Sequence, residues 1–514
     1  MSTDIRALHH QGSPAPGHRA GVREWAALTV LMLPVLLVSV DNTVLSFALP
    51  AISTELAPTS NQLLWIVDIY PLMLAGLLVA MGSLGDRIGR RRLLVIGAVG
   101  FGAVKVLAAY STTPEMLIVS RALLGVFGAT LMPSTLSLLR NIFSDRRQRR
   151  LAIAVWASAF AGGAALGPIM GGWLLENHWW GSVFLITVPV IVALLPLVLW
   201  LVPESKDPTP GPVDVPSIGL SLATMLPLVY AIKIAAEHGL SSDALAAAAV
   251  GLAAGVAFVR RQLASPTPML DVRLFTNPVF SGAVASNLLS ILGYAGFLFF
   301  VAQFLQLVIG LSPMEAGTVL VPGLVASIVA GLVAVRLVRV IRPHVLIGGS
   351  FALSASGYAI ATFVGEVPTV MSISVAFVAV GVGIGLAETL TNDIIISTAP
   401  AEKSGAASAI SETAYEIGSV LGTAVLGSVL MATYRSGMDV PTGMSAADTD
   451  AATETLGGAV EVANGLGSTG DALLRSAHLA FDHGVQVTCA LGILIALGAA
   501  AVSALTLRNA DTDA

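Results

Sequence analysis

The chain has 514 residues, of which 55% are hydrophobic and 11% charged, with a net charge of −5 and a mean hydropathy of +0.84. A soluble chain carries about 25% charged residues, too many more for this chain to clothe a water-exposed surface of its size. That argues against a soluble enzyme, a disordered regulator or a nucleic-acid binder, and for an all-α integral membrane protein.

The first 22 residues are polar and include His9, His10, Pro14, Pro16 and Gly17. They lack the apolar run of a signal peptide, so residues 1–24 read as a cytoplasmic arm. A spanning helix needs about 20 predominantly apolar residues. Such runs follow at 25–50, 63–83, 93–111, 115–139, 150–174, 181–201, 216–234, 241–260, 278–308, 314–335, 343–363, 368–395, 405–432 and 485–507. That predicts 14 helices. Lys233 and Glu237 crowd the turn between the seventh and eighth. The segment 433–484 is acidic (Asp439, Asp448, Asp450, Glu454, Glu461, Asp471, Asp482) and has a small-residue amphipathic stretch around 455–478. It reads either as a hairpin or as a solvated linker. The single cysteine, Cys489, can form neither an intrachain disulfide nor a metal site alone, so no metal is expected.

An even number of helices puts both termini on one side. Of the 26 Lys and Arg, 21 fall on the side of the N-terminus and three (Lys233, Arg435, Arg475) on the other, with Lys105 and Arg121 inside spans. Cytoplasmic loops carry the excess of Lys and Arg. Both termini, including the tail 508–514, are therefore expected in the cytoplasm, and segment 433–484 outside.

An ionisable side chain inside lipid costs at least ~2.5 kcal/mol and marks a functional hypothesis. Those here are Asp41, Asp68, Lys105, Arg121, Glu388, Asp393, Glu412 and Glu416. At about 1.5 Å per residue, Asp41, Asp68 and Arg121 lie at similar depth in the outer third of the membrane. An Asp41–Arg121 pair with Asp68 nearby is allowed; a purely structural pair is the plain alternative. Glu412 and Glu416 stand at i, i+4 on one helix face near mid-membrane. Like charges there repel, and burial disfavours the ionised form, which suits a proton relay or a cation receptor. Glu388 and Asp393 lie nearer the cytoplasmic end of their helix, and Lys105 can snorkel or pair with an acid, without an assigned role.

Glycines add a second pattern. In residues 163–172 the small residues Gly163, Gly167 and Gly171 recur at four-residue steps around Pro168. The spacing lets another backbone approach closely, and the proline can bend the helix. In residues 82–92, Gly85 and Gly89 permit a tight turn, Asp86 can face the N-terminus of a neighbouring helix, and Arg87, Arg90, Arg91 and Arg92 can anchor to headgroups or acids.

The 82–92 stretch, with Gly82, Gly85, Asp86, Arg87, Gly89 and Arg90, resembles the signature loop between the second and third helices of the major facilitator superfamily. Arg121 to Gly128 resembles its fourth-helix motif, and 163–172 the fifth-helix motif of its antiporters. Val40–Asp41–Asn42–Thr43–Val44 with Ala48–Leu49–Pro50 is similar to the first-helix motif of its 14-helix drug:proton antiporters. Residues 65–70, 203–205 and 268–275 are similar to the quaternary-ammonium and dye exporters among them. The resemblance covers about 25–507.

It implies a six-helix bundle at 25–203, a linker and two inserted helices at 204–265, and a second six-helix bundle at 266–507. It also implies a monomer in the plasma (inner) membrane that exports lipophilic cationic drugs (quaternary ammonium compounds, ethidium, acriflavine, fluoroquinolones), with the proton gradient as its driving force and no cofactor. Asp41, Arg121 and Asp68 become the proton-coupling candidates. Asp68, Glu412, Glu416, Glu388, Tyr415 and Trp65 become the substrate-binding ones. The chain departs from some relatives by having Ser327 where they carry an Asp, and its second-half loop at 331–342 keeps Gly331, Arg336 and Arg339 without an acid.

Two other readings remain. An exporter or symporter of a small metabolite would need mid-membrane polar groups for a sugar or an anion, whereas the buried charges here are mostly acidic. A membrane enzyme would need a nucleophile with a base, or a ligand set, yet none of the eight His lies well inside a span.

Overall fold

The apolar runs become helices, and the helices outrun them where polar caps are available. In the computed structural model, which describes residues 20–143, 145–206, 213–363, 369–399 and 404–508, the predicted second span, 63–83, is part of a helix Ser60–Ile88. The extension begins at Thr59, whose hydroxyl accepts from the Gln62 amide at 3.2 Å, satisfying one of the amides that a helix N-terminus leaves free. Most of the N-terminal arm and tail, and Lys403, lie outside the described residues.

The helices are α1 (Val22–Glu55), α2 (Ser60–Ile88), α3 (Arg90–Ala109), α4 (Pro114–Ile142), α5 (Arg146–Asn177), α6 (Ser182–Leu185), α7 (Thr187–Leu201), α8 (Val215–His238) and α9 (Ser242–Ala264). A short 3-10 turn precedes α10 (Pro278–Gln303), followed by α11 (Pro313–Leu337), α12 (Pro343–Phe363), α13 (Val370–Thr398), α14 (Ser404–Gly422), α15 (Ser428–Gly437), α16 (Ala446–Glu454), α17 (Leu456–Asn464) and α18 (Ser468–Thr506). Segments of π-helix continue α10 (Phe304–Val308) and join α14 to α15 (Thr423–Gly427). Counting α6 with α7 and α14 with α15, 14 spans among the described residues are long and apolar enough to cross a membrane.

Helices α1 to α7 pack together, α1 on α5 and α2 and α3 on α4; α10 to α15 and α18 form a second group, with α13 between α11 and α12. The groups meet along two seams, α5 on α11 and α2 on α14. The pair α8 and α9 packs mainly on itself, with α8 also touching α2, α15 and the second π segment.

Segment 433–484 is not the solvated linker that one sequence reading allowed. It is the end of α15, the short helices α16 and α17, and the first turns of α18, with α17 packed on both α16 and α18. Tyr434 donates to the carbonyl of Ala452 at 2.8 Å, and Leu456 and Ala459 are buried, so the segment has a small core of its own. It also reaches the first group: Ser60 at the start of α2 donates its amide to Glu454 at 2.8 Å and its hydroxyl to the Glu454 carbonyl. Arg435 pairs with Glu454 at 2.8 Å, and Gly457 rests on Ser53 of α1. Together with the Gln306 amide on the carbonyl of Phe47, 3.2 Å, these contacts close the molecule on the face opposite the α2–α3 turn.

Candidate functional site

The buried charges of the first group are built around α1. Asp41 is 1% exposed and Arg121, on α4, 2% exposed. Arg121 Nη1 donates to Asp41 Oδ2 at 2.9 Å, as the depth estimate allowed. Lys105 of α3, to which the sequence assigned no role, donates to Asp41 Oδ1. Its ammonium also lies 5.1 Å and 5.0 Å from the ring centres of Phe101 and Phe184, a cation–π box. Arg121 uses its Nε on the carbonyl of Ile66 at 3.1 Å and stands 4.6 Å over the Tyr70 ring. One carboxylate thus receives two cations and ties α1, α3 and α4 together, with α2 held through Arg121.

Asp68 does not join that cluster. It turns to another side of α2 and meets Lys233 of α8, with Nζ 2.9 Å from Oδ2. The ammonium is also 4.0 Å from the centre of the Trp65 ring. Lys233, expected on the outer surface, is 2% exposed inside a predicted span.

The second group presents acids to a cavity. Glu388 and Glu412 line a space of about 140 Å³ with Asn287, Asn392, Ser411, Tyr415, Met132, Trp156 and Phe160. Phe160 and Tyr415 meet edge to face at 5.8 Å. Asn287 donates to Ser411 at 3.2 Å and Ser411 to Asn392 at 3.0 Å. Among the described residues, no Lys or Arg lines this space. It continues past Glu412 into a second space of about 170 Å³ lined by Gly82, Pro133, Arg140 and Ser408. These residues sit at the ends of α2 and α4 and the start of α14, so the cavity runs toward the α2–α3 face. Drug-sized sites usually hold about 300–1,000 Å³, so a large ligand must widen it.

Glu416, one turn beyond Glu412, is 2% exposed with its Oε2 lacking a hydrogen-bond partner. Tyr70, whose ring carries the Arg121 guanidinium, is within electrostatic reach of both Glu416 and Asp41. Asp393 is exposed.

The glycine motifs are placed as follows. α2 ends at Ile88, and Gly89 at φ 110° reverses the chain into α3; the left-handed region favours glycine. Gly85 lies within α2 and its carbonyl accepts the Gly89 amide at 3.0 Å. Asp86 pairs with Arg90, the first residue of α3, at 2.8 Å. Glu204 accepts the amides of Arg91 and Arg92 at 3.0 and 3.2 Å, so a distant loop caps α3. A Cβ at Gly89 would come within 2.8 Å of the Glu204 carboxyl carbon. Arg87 is exposed. On α5, a Cβ at Gly163 or Gly171 would come within 2.8 Å of Leu36 or Val44 of α1, and Gly167 rests on Thr43. Most of the stripe therefore serves packing inside the first group. The seam with α11 is made by Gly172 on Met314, and by the Pro168 carbonyl on Gly317.

Comparisons with known proteins follow this geometry. The family model of the Major Facilitator Superfamily matches residues 31–423. The chain is 52% identical to the multidrug efflux pump LfrA of Mycolicibacterium smegmatis, over 99% of this chain and all of that one. It is 38% identical to the methyl viologen resistance protein SmvA of Salmonella typhimurium, over 92% and 97% of the two chains. Identity to the tetracenomycin C resistance and export protein of Streptomyces glaucescens is 33%, over 98% and 94%. Among solved structures, a bacterial homologue of the human lysosomal transporter Spinster, inward-facing and unoccupied, superposes with TM-score 0.66 at 17% identity, covering 96% of this chain and 100% of that one.

Proposed function

The chain belongs to the major facilitator superfamily, among its drug-efflux transporters, and from that premise we propose that it exports lipophilic cations in exchange for protons. The observation that carries this is the cavity in which Glu388 and Glu412 stand beside Trp156, Phe160 and Tyr415, with no basic residue among the described ones that line it. Carboxylates attract a cation strongly where water is scarce. Aromatic faces add cation–π attraction and apolar contact. Quaternary ammonium compounds, ethidium and acriflavine have this chemistry, and fluoroquinolones carry a cationic amine. The name of the SmvA relative points the same way, since methyl viologen is a dication.

Proton coupling rests on Asp41. Its carboxylate holds Arg121 and Lys105 together; a proton there would cancel the charge that binds them and loosen α1 from α3 and α4. Tyr70 is within electrostatic reach of both Glu416 and Asp41, so the charges of the two clusters bear on one group. The charge asymmetry of the loops supports termini in the cytoplasm, so that the cavity faces inward and segment 433–484 outward. We take the protein to act as a monomer in the plasma membrane. A small-metabolite carrier fits less well, because the part of the cavity around Glu388 and Glu412 is lined by acids and rings, and Arg140 appears only in the space beyond it.

Ethidium efflux from loaded cells is the deciding measurement. Export should run against the dye gradient, stop when a protonophore is added, and be absent in cells lacking the protein. Efflux insensitive to the protonophore refutes proton exchange, and export of neutral solutes alone refutes the cation reading. For orientation, a cysteine at Ser445 should react with an impermeant thiol reagent in intact cells and one at Thr267 should not; the reverse labelling inverts the molecule.

A further inference from the structure

Lys233 enters the interior from α8, a helix whose spanning window is only 22% buried. Its side chain is 1% exposed and that of Asp68 0%. Trp65 and Asp68, three residues apart on α2, present an indole face and a carboxylate together, the groups that hold a lipophilic cation. Here the cation is the protein's own ammonium, 2.9 Å from the acid and 4.0 Å from the ring centre.

The contact differs from the Asp41 network. Asp41 bridges two cations, one on each oxygen, whereas Asp68 faces the single ammonium of Lys233, 2.9 Å from Oδ2. A single cation can be replaced by another without leaving a second buried charge unpaired. The site also lies on a seam. Thr423 of the π segment faces Asp68, and Ile69, Leu72, Val229, Val420 and Ala424 pack α2, α8 and α14 into one small apolar cluster. α8 touches α2 on one side and the π segment and α15 on the other. When the two groups part here, α8 cannot keep both contacts.

Resting on the reading that the cargo is a lipophilic cation, we propose that Lys233 is a tethered competitor of that cargo. Parting of α2 from the second group frees Asp68 and Trp65 for the outgoing cation, and closure returns the ammonium and expels it. The inserted helix α8 thereby makes release one-way.

The test uses purified full-length protein, with ethidium as the probe of binding and of efflux in proteoliposomes. A site occupied about 90% of the time by its own lysine loses about tenfold in apparent affinity. Lys233→Met should therefore bind ethidium about tenfold tighter and turn over more slowly, Lys233→Arg should behave like the parent, and adding Asp68→Asn to Lys233→Met should abolish the gain. Folded Lys233→Met with unchanged affinity overturns the proposal. So does a Lys233→Met/Asp68→Asn double variant that binds ethidium as tightly as Lys233→Met, since Asp68 would then not be the acid for which lysine and cargo compete. If Lys233→Met does not fold, reductive methylation of the parent decides: saturating ethidium should raise labelling of Lys233, and unchanged labelling refutes displacement. A parent that exports no cation removes the underlying reading; a parent that exports ethidium, with Lys233→Met no tighter, removes this inference alone.

Discussion

The two helix groups treat buried acid in opposite ways. In the first, Asp41 is held by Arg121 and Lys105, and Asp68 is met by Lys233 of the inserted α8. In the second, Glu388, Glu412 and Glu416 have no ion-pair partner among the described residues, and two of them face a cavity. A buried charge costs several kcal/mol unless it is compensated. The acids of the first group receive that compensation from other helices of the chain, α3, α4 and α8. The second leaves it to something from outside, a cation or a proton. The asymmetry divides the work: one side responds to charge, and the other receives it.

Breaking the paired side should have the largest effect. Asp41→Asn strands two cations, and removing one member of a buried pair costs about 3–5 kcal/mol, so the variant should lose thermal stability and all uphill export. Adding Lys105→Met should return most of the stability without returning uphill export, because no group at position 41 can exchange a proton. Dye binding should survive in the double variant. Thermal unfolding and proteoliposome efflux under an imposed pH gradient separate these effects; uphill pumping by either variant ends the assignment of Asp41.

The unpaired side should respond more gently and more selectively. Glu412→Gln keeps the shape of the cavity and removes one charge. Ethidium affinity should fall about tenfold, which is roughly 1.4 kcal/mol, with little change for a neutral drug. Stability should hold or rise, since an uncompensated acid has been removed. Equal losses for both substrates would mean that Glu412 carries protons and not cargo.

The smallest effect belongs to a pair outside the membrane. At the start of α8, Asp214 accepts from Arg261 at 2.8 Å, and that hydrogen bond, helped by Ser217, holds its carboxyl below the ordinary value. A lowered folded-state pKa gives stability that is present above the ordinary carboxylate range and is lost as pH falls through the lowered value. Asp214→Asn should therefore change stability at neutral pH by less than about 1 kcal/mol and leave transport unchanged. Its difference from the parent should vanish under strong acid. A loss of export would show that α8 must be anchored at this end.

The sequence alone made the spans legible, because apolar runs of spanning length have few other meanings, and it placed Asp41 beside Arg121 because depth along two helices is simple arithmetic. It could not assign Lys105 or Lys233. A lone lysine in an apolar run can reach the interface as easily as a buried partner, and only the packing of α3 and α8 decides. Asp68 illustrates the same limit: its depth matched Arg121, but its direction around α2 did not. Glu204 was hidden for another reason, since it caps α3 from more than 110 residues away. In 433–484 the amphipathic stretch at 455–478 marks α17 and the start of α18, whereas α16 is too rich in Ala and acid to show a periodicity, and the order of the segment comes from Tyr434, Leu456 and the contacts with Ser60.

The position of α8 and α9 also bears on how a solute dissolved in lipid meets the protein. Where α2 joins α14, α8 lies across the join with α9 outside it, turning Leu245, Val250, Leu252 and Val256 outward. The α5–α11 join has no such cover, and Leu166, Trp173, Val325 and Val329 are exposed on its two helices. The bilayer therefore sees a double wall on one flank and a single wall on the other. A lateral doorway for hydrophobic solutes, if cargo arrives from the membrane and not from water, belongs on the α5–α11 flank, where two helices have to part and nothing stands in front of them.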